Sequence, residues 1–309
     1  MRLASLAEIV RGRLLNTPSV SHVNRFVFEA AKVRRGDCYI AFFEEASLWP
    51  KAIENGAYAV IYEGDRAAAT DLEIGWIRVK EPERALLGLL RFMLVEKNTV
   101  VYRADRVTLA LCRAYLKDAP LYAAFEPRAA LERLQAEGPA ALLLIDESAP
   151  IAQAAPEAQP ITPAPLNAAP KGLFETVIVT ESGPVRLPVS ALFLDALGRL
   201  AALSLSHGFV LRWHTHAPAL GRFEPVSIGF GDRVLIFDDA SEAQAQSALA
   251  YVRQNAPWAK VFAPPLLSVD ELAALLMRTP FQYAYLNGCA KEPLLAALEA
   301  ARPRTPSLF

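Results

Sequence analysis

Lys32-Val-Arg-Arg-Gly-Asp-Cys-Tyr-Ile-Ala41 and, after a short break, Lys51-Ala-Ile-Glu-Asn-Gly-Ala-Tyr-Ala-Val-Ile61 set the fold class of this chain. Gly36-Asp37 is a tight turn that feeds an apolar strand, Cys38 to Phe43. Lys51 to Glu54 then reads as the end of a helix, Asn55-Gly56 as its stop, and Ala57 to Tyr62 as a second strand beside the first. Strand, helix, strand is the repeating unit of an α/β sheet.

Working outward, Leu3 to Arg13 is an amphipathic helix, and Pro82 to Val95 carries leucines at helical spacing that close a first α/β domain near residue 97. A reduced central α/β domain runs from 98 to 220. It contains a Pro/Ala-rich stretch, 149–170, with no periodicity, which is expected to be an exposed linker or a long surface loop. From Gly221 to the end at 309, strands and helices alternate: Arg233 to Asp238, Ser241 to Asn255, Ala259 to Ala263, Ser268 to Arg278, Gln282 to Leu286 and Lys291 to Ala301. Such alternation implies a parallel, Rossmann-like sheet.

At 309 residues, with 53% hydrophobic residues, the chain has material for two or more real cores. No apolar run reaches the ~18 residues of a membrane span, and the charged opening MRLASLAEIVRGRLLN does not read as a signal peptide. The chain is therefore expected in the cytoplasm. Its three cysteines, Cys38, Cys112 and Cys289, stand far apart in apolar contexts and read as buried thiols. A net charge of −1 with interspersed signs leaves no electrostatic footprint for nucleic acid.

The opening segment resembles the N-terminal domain of the Mur ligases, which add amino acids to UDP-N-acetylmuramoyl precursors of bacterial peptidoglycan. That family has a V-x-x-G-D-x-F-x-A strand and a helix ending A-x-x-x-G-A-x-A-V; here stand Val33, Gly36, Asp37, Tyr39 and Ala41, then Ala52, Gly56, Ala57, Ala59 and Val60. Further along, Leu187-Pro-Val-Ser190 with Asp195 to Leu203 resembles the segment that ends the family's central domain. Gly221-Arg-Phe-Glu-Pro-Val226 resembles its hinge, and Val234-Leu-Ile-Phe-Asp-Asp-Ala240 the D-D-x-Y-N-A-N-P strand after it. The resemblance implies three pieces: a domain for the UDP end, a domain for ATP and a Rossmann-like domain for the incoming amino acid.

The ATP chemistry lacks its parts. A phosphate loop needs glycines whose amides cradle the phosphates, a lysine and a magnesium-binding hydroxyl, and no G-x-x-x-x-G-K-[ST] occurs in the sequence. In its place stands Asn98-Thr-Val-Val-Tyr-Arg-Ala-Asp-Arg-Val-Thr-Leu-Ala-Leu111, read as strand, turn and helix. Arg106 falls at the lysine position, Val107 at the hydroxyl position, and Asp105 would repel a triphosphate. Asp105, Arg106, Thr108, Asp146 and Glu147 are thus expected to mark an eroded nucleotide site, with no cofactor and no catalytic residue. Lys171, in a loop, is the only lysine near where a catalytic one is needed.

Other chemistries find little support. His207, His214 and His216 lack a carboxylate or cysteine partner at metal-ligand spacing and read as surface or hinge residues. Neither a G-x-S-x-G elbow nor a G-x-G-x-x-G after Asp238 is present. Ligands of parallel sheets sit beyond the strands' carboxyl ends, which nominates Phe42, Phe43, Glu44, Tyr62 and Gly64 in the first domain, with Asn24 and Arg25 as phosphate contacts, and Asp238, Asp239 and Asn287 in the last. Asp238 and Asp239 also suit the plainer role of capping the next helix. The leading expectation is a non-catalytic Mur-ligase-like protein whose partner is a UDP-muramoyl precursor or a cell-wall synthesis protein. Its rivals are an active ligase with an unorthodox site for ATP and magnesium, and an unrelated α/β binding protein.

Overall fold

The computed structural model describes residues 1–64, 71–116, 121–124, 126–136, 142–213, 216, 218–228, 232–260 and 267–301, with Leu121 and Tyr122 described in backbone only. Two compact units result, one built from 1–105 and 118–161, the other from 106–117 and 162–309. In chain order the first elements are α1 (Leu3–Ile9), β1 (Arg13–Leu14), β2 (Phe26–Val27), β3 (Cys38–Ile40), α2 (Trp49–Glu54), β4 (Ala59–Glu63), β5 (Gly75–Val79) and α3 (Pro82–Glu96). There follow β6 (Val101–Ala104), α4 (Arg106–Tyr115), β7 (Leu121–Ala124), α5 (Pro127–Gln135), β8 (Leu142–Asp146) and β9 (Gln159–Pro160). Of these only α4 belongs to the second unit.

The first sheet has the order β1-β5-β4-β3-β2, parallel except for β1. Side chains alternate across it: Cys38, Ile40, Ala59, Ile61, Ile77 and Val79 join the core of α1 and α3, while Tyr39, Val60, Tyr62 and Trp76 join Trp49 and Ala52 of α2. Both faces are covered, which is why these strands read as unbroken apolar runs rather than alternating ones. Each fully buried leucine, such as Leu6, Leu89 and Leu90, adds about 1.5–3 kcal/mol.

The Gly36-Asp37 turn has a demonstrable cause. Gly36 has φ +92°, a conformation that favours glycine, and a Cβ there would also displace the Asn24 amide, whose Nδ2 would stand 2.3 Å away. The Asp37 carboxylate accepts the Arg34 amide at 2.7 Å and two hydrogen bonds from Arg25, each 2.8 Å. Close approach also explains Gly88 on α3, whose missing Cβ would sit 2.4 Å from the Ile9 carbonyl oxygen.

A second sheet in the same unit, β7-β8-β6-β9, is parallel throughout. Its middle strand β8 is buried along its whole length. The same hydrophobic core runs on through α5 (Ala130, Leu131, Leu134) to Leu143 and Ile145. The Pro/Ala-rich stretch differs from expectation here. Far from lying wholly exposed, it forms a 3-10 turn, Pro150–Ala154, and buries Ile151, Ala154, Ala155 and Ala158 in that core. Alanines and isoleucine pack without polar groups to satisfy, and no periodic pattern announces them.

The second unit adds β10 (Ala168–Pro170), β11 (Thr176–Thr180), β12 (Gly183–Leu187), α6 (Leu194–His207), β13 (Glu224–Ser227), β14 (Val234–Asp238), α7 (Glu242–Asn255), α8 (Val269–Arg278), β15 (Tyr283–Asn287) and α9 (Lys291–Ala300). Strands β10 to β12 form an antiparallel meander, and α4 packs on α6. In the last sheet β14 and β15 are parallel, as expected, with β13 antiparallel at the edge. That edge strand includes the end of the stretch that resembles the family's hinge, and its Pro225 stands where a sheet tolerates proline. The expected strand at Ala259 to Ala263 runs into residues 261–263, which lie outside the described residues. Helices α7 and α8 both begin with capping boxes, at Ser241 and Ser268. No helix among the described residues is long and apolar enough to cross a membrane.

Candidate functional site

Beyond β3 the chain turns out through Ala41, Phe42, Phe43 and Glu44. One oxygen of Glu44, Oε2, accepts both the Ala30 amide (2.7 Å) and the Tyr39 hydroxyl (2.8 Å), tying the turn after β2 to the loop after β3. Burial, and then the hydrogen bond to Glu44, raise the Tyr39 pKa, so its hydroxyl stays a donor. Phe43 is 48% exposed, and its ring meets Phe28 at 5.9 Å and Phe42 at 6.4 Å. Arg128, near the start of α5, lays its guanidinium 5.0 Å from the Phe43 ring centre and 5.3 Å from that of Phe28. It also bonds Glu29 at 3.3 Å and Glu132 at 3.0 Å.

Beside Phe28 opens a hollow of about 330 Å³, bounded by Glu29, Lys32, Glu132 and Gln135. Its size suits part of a small ligand. Gln135 holds its wall: the side-chain amide accepts the Phe26 N–H at 2.5 Å and donates to the Phe26 carbonyl at 3.1 Å. Phe28, Arg128 and Gln135 escape a reading of the sequence because each acts across about a hundred residues of chain.

Several nominated residues also serve the fold. Arg25 braces the Gly36-Asp37 turn, giving Nε and Nη2 to Asp37 and Nη2 also to the Lys32 carbonyl at 3.2 Å. Asn24 lies against Gly36, and Asn24 and Arg25 border a second hollow with Met93, Glu96 and Lys97. Tyr62 is wholly buried, its ring 5.2 Å from Trp49 and 6.1 Å from Trp76. Its parity along β4 points it at α2 rather than at a ligand surface.

At the nucleotide position, strand and helix are both present, β6 and α4, but a single residue, Asp105, separates them. Of the turn expected over Tyr102 to Asp105, Tyr102, Arg103 and Ala104 lie in the strand. Arg106 is exposed at the first position of α4, and Thr108 is fully buried. At the end of β8, Asp146 is buried and its Oδ1 accepts the Ser148 amide (2.9 Å) and hydroxyl (2.6 Å), while Glu147 is exposed.

In the second unit Asp238 ends β14 with its side chain wholly buried. Arg222 donates Nε to Oδ1 at 2.8 Å and Nη2 to Oδ2 at 3.2 Å, and the Tyr285 hydroxyl donates to Oδ2 at 2.7 Å. Burial first, and the Asp238 contact second, raise the Tyr285 pKa. Asp238 therefore neither caps a helix nor faces solvent; Ser241 is the cap. Asn287 accepts the Ala240 amide at 3.0 Å, and Asp239 is exposed. Thus the Arg222 and Asp238 of two separate motifs form one ion pair.

Among the described residues no group of three His, Cys, Asp or Glu could hold a metal. His207 stacks on Phe209 at 5.4 Å, and His214 lies outside the described residues. Burial raises the thiol pKa of Cys38 and of Cys289, the opposite of activation.

The sequence matches no protein-family model and no curated protein. A MurF ligase from Thermotoga maritima, solved in complex with ADP, superposes with a TM-score of 0.54 at 14% identity, covering 90% of this chain and 96% of the other. The fold is that of the Mur ligases. MurF from Acinetobacter baumannii agrees, with a TM-score of 0.52 at 12% identity over 97% of this chain and 98% of its own. The mixed α/β architecture with parallel sheets is that of these neighbours.

Proposed function

We propose that this chain is a non-catalytic Mur-ligase-like protein of peptidoglycan precursor synthesis in the bacterial cytoplasm, binding a UDP-muramoyl precursor through its first unit and needing neither ATP nor magnesium. The observation that carries the reading is the passage from β6 to α4 across Asp105 alone. A triphosphate cradle requires a loop of backbone amides there, and the single residue present, Asp105, carries a charge that repels phosphate. The buried Thr108 offers no hydroxyl to a metal at the surface. The first unit, by contrast, keeps the half-exposed ring of Phe43 and the Arg128 guanidinium, which lies over it and over the buried Phe28, beside a hollow of about 330 Å³. Aromatic faces and a guanidinium suit a flat heterocycle.

Calorimetric titration with magnesium-ATP and, separately, with UDP-N-acetylmuramoyl-tripeptide tests both halves. Binding of the precursor but not of ATP is expected, and Arg128→Ala weakens the former about tenfold, the scale of a cation–π contact. Saturable ATP binding would overturn the non-catalytic reading and revive an active ligase. Failure of the precursor to bind would remove the ligand and turn the search to a cell-wall synthesis protein as partner.

A further inference from the structure

The second hollow of the first unit, about 330 Å³ in volume, differs in character from the one beside Phe28. Its apolar lining is Phe26 of β2 and Met93 of α3, each only 6% exposed. The polar groups that line it are of two kinds. Some are engaged by the fold: the Met1 ammonium donates to the Val23 carbonyl at 2.7 Å, the Gln135 amide closes on Phe26, and Arg25 gives Nε and Nη2 to Asp37. The rest have no partner among the described residues: the Asn24 amide, Arg25 Nη1, the Glu96 carboxylate and the Lys97 ammonium.

These uncommitted groups call for both signs of charge in one ligand. Adjacent residues on a helix do not face each other, so Glu96, the last residue of α3, and Lys97, which follows it, do not neutralise one another. The last turn of α3 contains no basic residue, and the partial negative charge of a helix C-terminus adds to that of Glu96 in favouring a cation there. Arg25 is held in place by its fork on Asp37, which balances its charge. Its Nη1, with Lys97 and the Asn24 amide, supplies donors for a carboxylate. An anion alone would meet Glu96 unopposed, and a cation alone would meet Lys97. At about 330 Å³ the hollow lies at the small end of ligand cavities, roughly 300–1,000 Å³.

We infer that this hollow binds a free α-amino acid with an apolar side chain. The carboxylate is received by Arg25 Nη1, Lys97 and the Asn24 amide, the ammonium by Glu96 and the end of α3, and the side chain by Phe26 and Met93. Arg25, Phe26 and Gln135 border both hollows, but the inference does not rest on the ligand proposed for the first.

The methionines provide the test. Met1 and Met93 line the hollow, whereas Met277, the third and last in the sequence, lies on α8 of the second unit. With carbon-13 methyl methionine in the full chain, titration with L-leucine should shift the Met1 and Met93 resonances saturably and leave Met277 in place. 4-Methylpentanoate, which lacks the ammonium, and 3-methylbutylamine, which lacks the carboxylate, should each bind about tenfold more weakly, the scale of one charge-assisted hydrogen bond. Glu96→Gln and Lys97→Gln, both at exposed positions, should weaken leucine to the same extent. The inference would be overturned if Met1 and Met93 showed no saturable shift by about 10 mM leucine, tenfold above a dissociation constant of about 1 mM. Equal binding of either analogue, full retention of leucine by either variant, or a matching shift of Met277 would overturn it too.

Discussion

Replacing Arg222 by Met tests whether the pair it forms with Asp238 holds the last sheet together. The Asp238 side chain is wholly buried and that of Arg222 only 14% exposed, so the pair sits out of water. Removing one partner of a buried pair costs about 3–5 kcal/mol, because the other charge is left without compensation. Tyr285 would still donate one hydrogen bond to Asp238, which places Arg222→Met near the low end, about 3 kcal/mol. Asp238→Asn keeps an acceptor but no charge and should cost about 2 kcal/mol. The double variant should cost little more than Arg222→Met alone, a coupling of about 2 kcal/mol against the 0.2–1 kcal/mol of an exposed pair. Because the chain has two compact units, a global melt would blend them, so amide exchange of β14 and β15 by mass spectrometry is the suitable measure. About 3 kcal/mol corresponds to exchange roughly 150-fold faster in those strands, with β3 and β4 unchanged. Exchange altered less than threefold, or single costs that simply add, would refute the reasoning.

Three further outcomes test the fold at separate points. Gly88→Ala drives a Cβ to within 2.4 Å of the Ile9 carbonyl oxygen and should lower stability by about 1–3 kcal/mol in urea denaturation; no change would show that α1 and α3 lie further apart. Gln135→Glu replaces a donor by a carboxylate oxygen facing the Phe26 carbonyl, costing about 2 kcal/mol at pH 7 but less near pH 4, where the protonated acid donates again; a loss independent of pH would argue against the contact. The Ser268 hydroxyl and amide lower the Glu271 pKa, so this contact stabilises α8 above the usual carboxylate pKa and fades as pH falls through the lowered one. Ser268→Ala should raise the Glu271 pKa in an NMR titration and cost about 1 kcal/mol.

Legibility in the sequence followed the range of the forces. Helices α3, α7, α8 and α9 and strands β4, β14 and β15 fall within a residue or two of their expected bounds, since periodicity, Pro82, Ser241 and Ser268 are local signals. The two-residue strands β1 and β2 carry no pattern of their own and exist because β5 and β3 pair with them. At the candidate site, Phe43 and Glu44 could be nominated from their place after a strand. Their partners Phe28 and Arg128 could not, because aromatic and cation–π contacts leave no spacing rule in the sequence. Tyr62 and Asp238 show the reverse: both end strands as ligand residues do, yet parity sends one into the core and Arg222 engages the other.

Gln135 bears on how this protein behaves in a crowd. Strand β2 is the outer member of the first sheet, and an outer strand offers its open amides and carbonyls as a template on which another chain can crystallise as one more strand. By closing on the N–H and the carbonyl of Phe26 together, the side-chain amide imitates one residue of that next strand and then goes no further. Sheet growth ends in a group that has nothing beyond it to copy. A terminator of this kind suits a folding chain whose parallel strands must wait for distant partners, because it guards against polymerisation without adding charge to the wall of the neighbouring hollow.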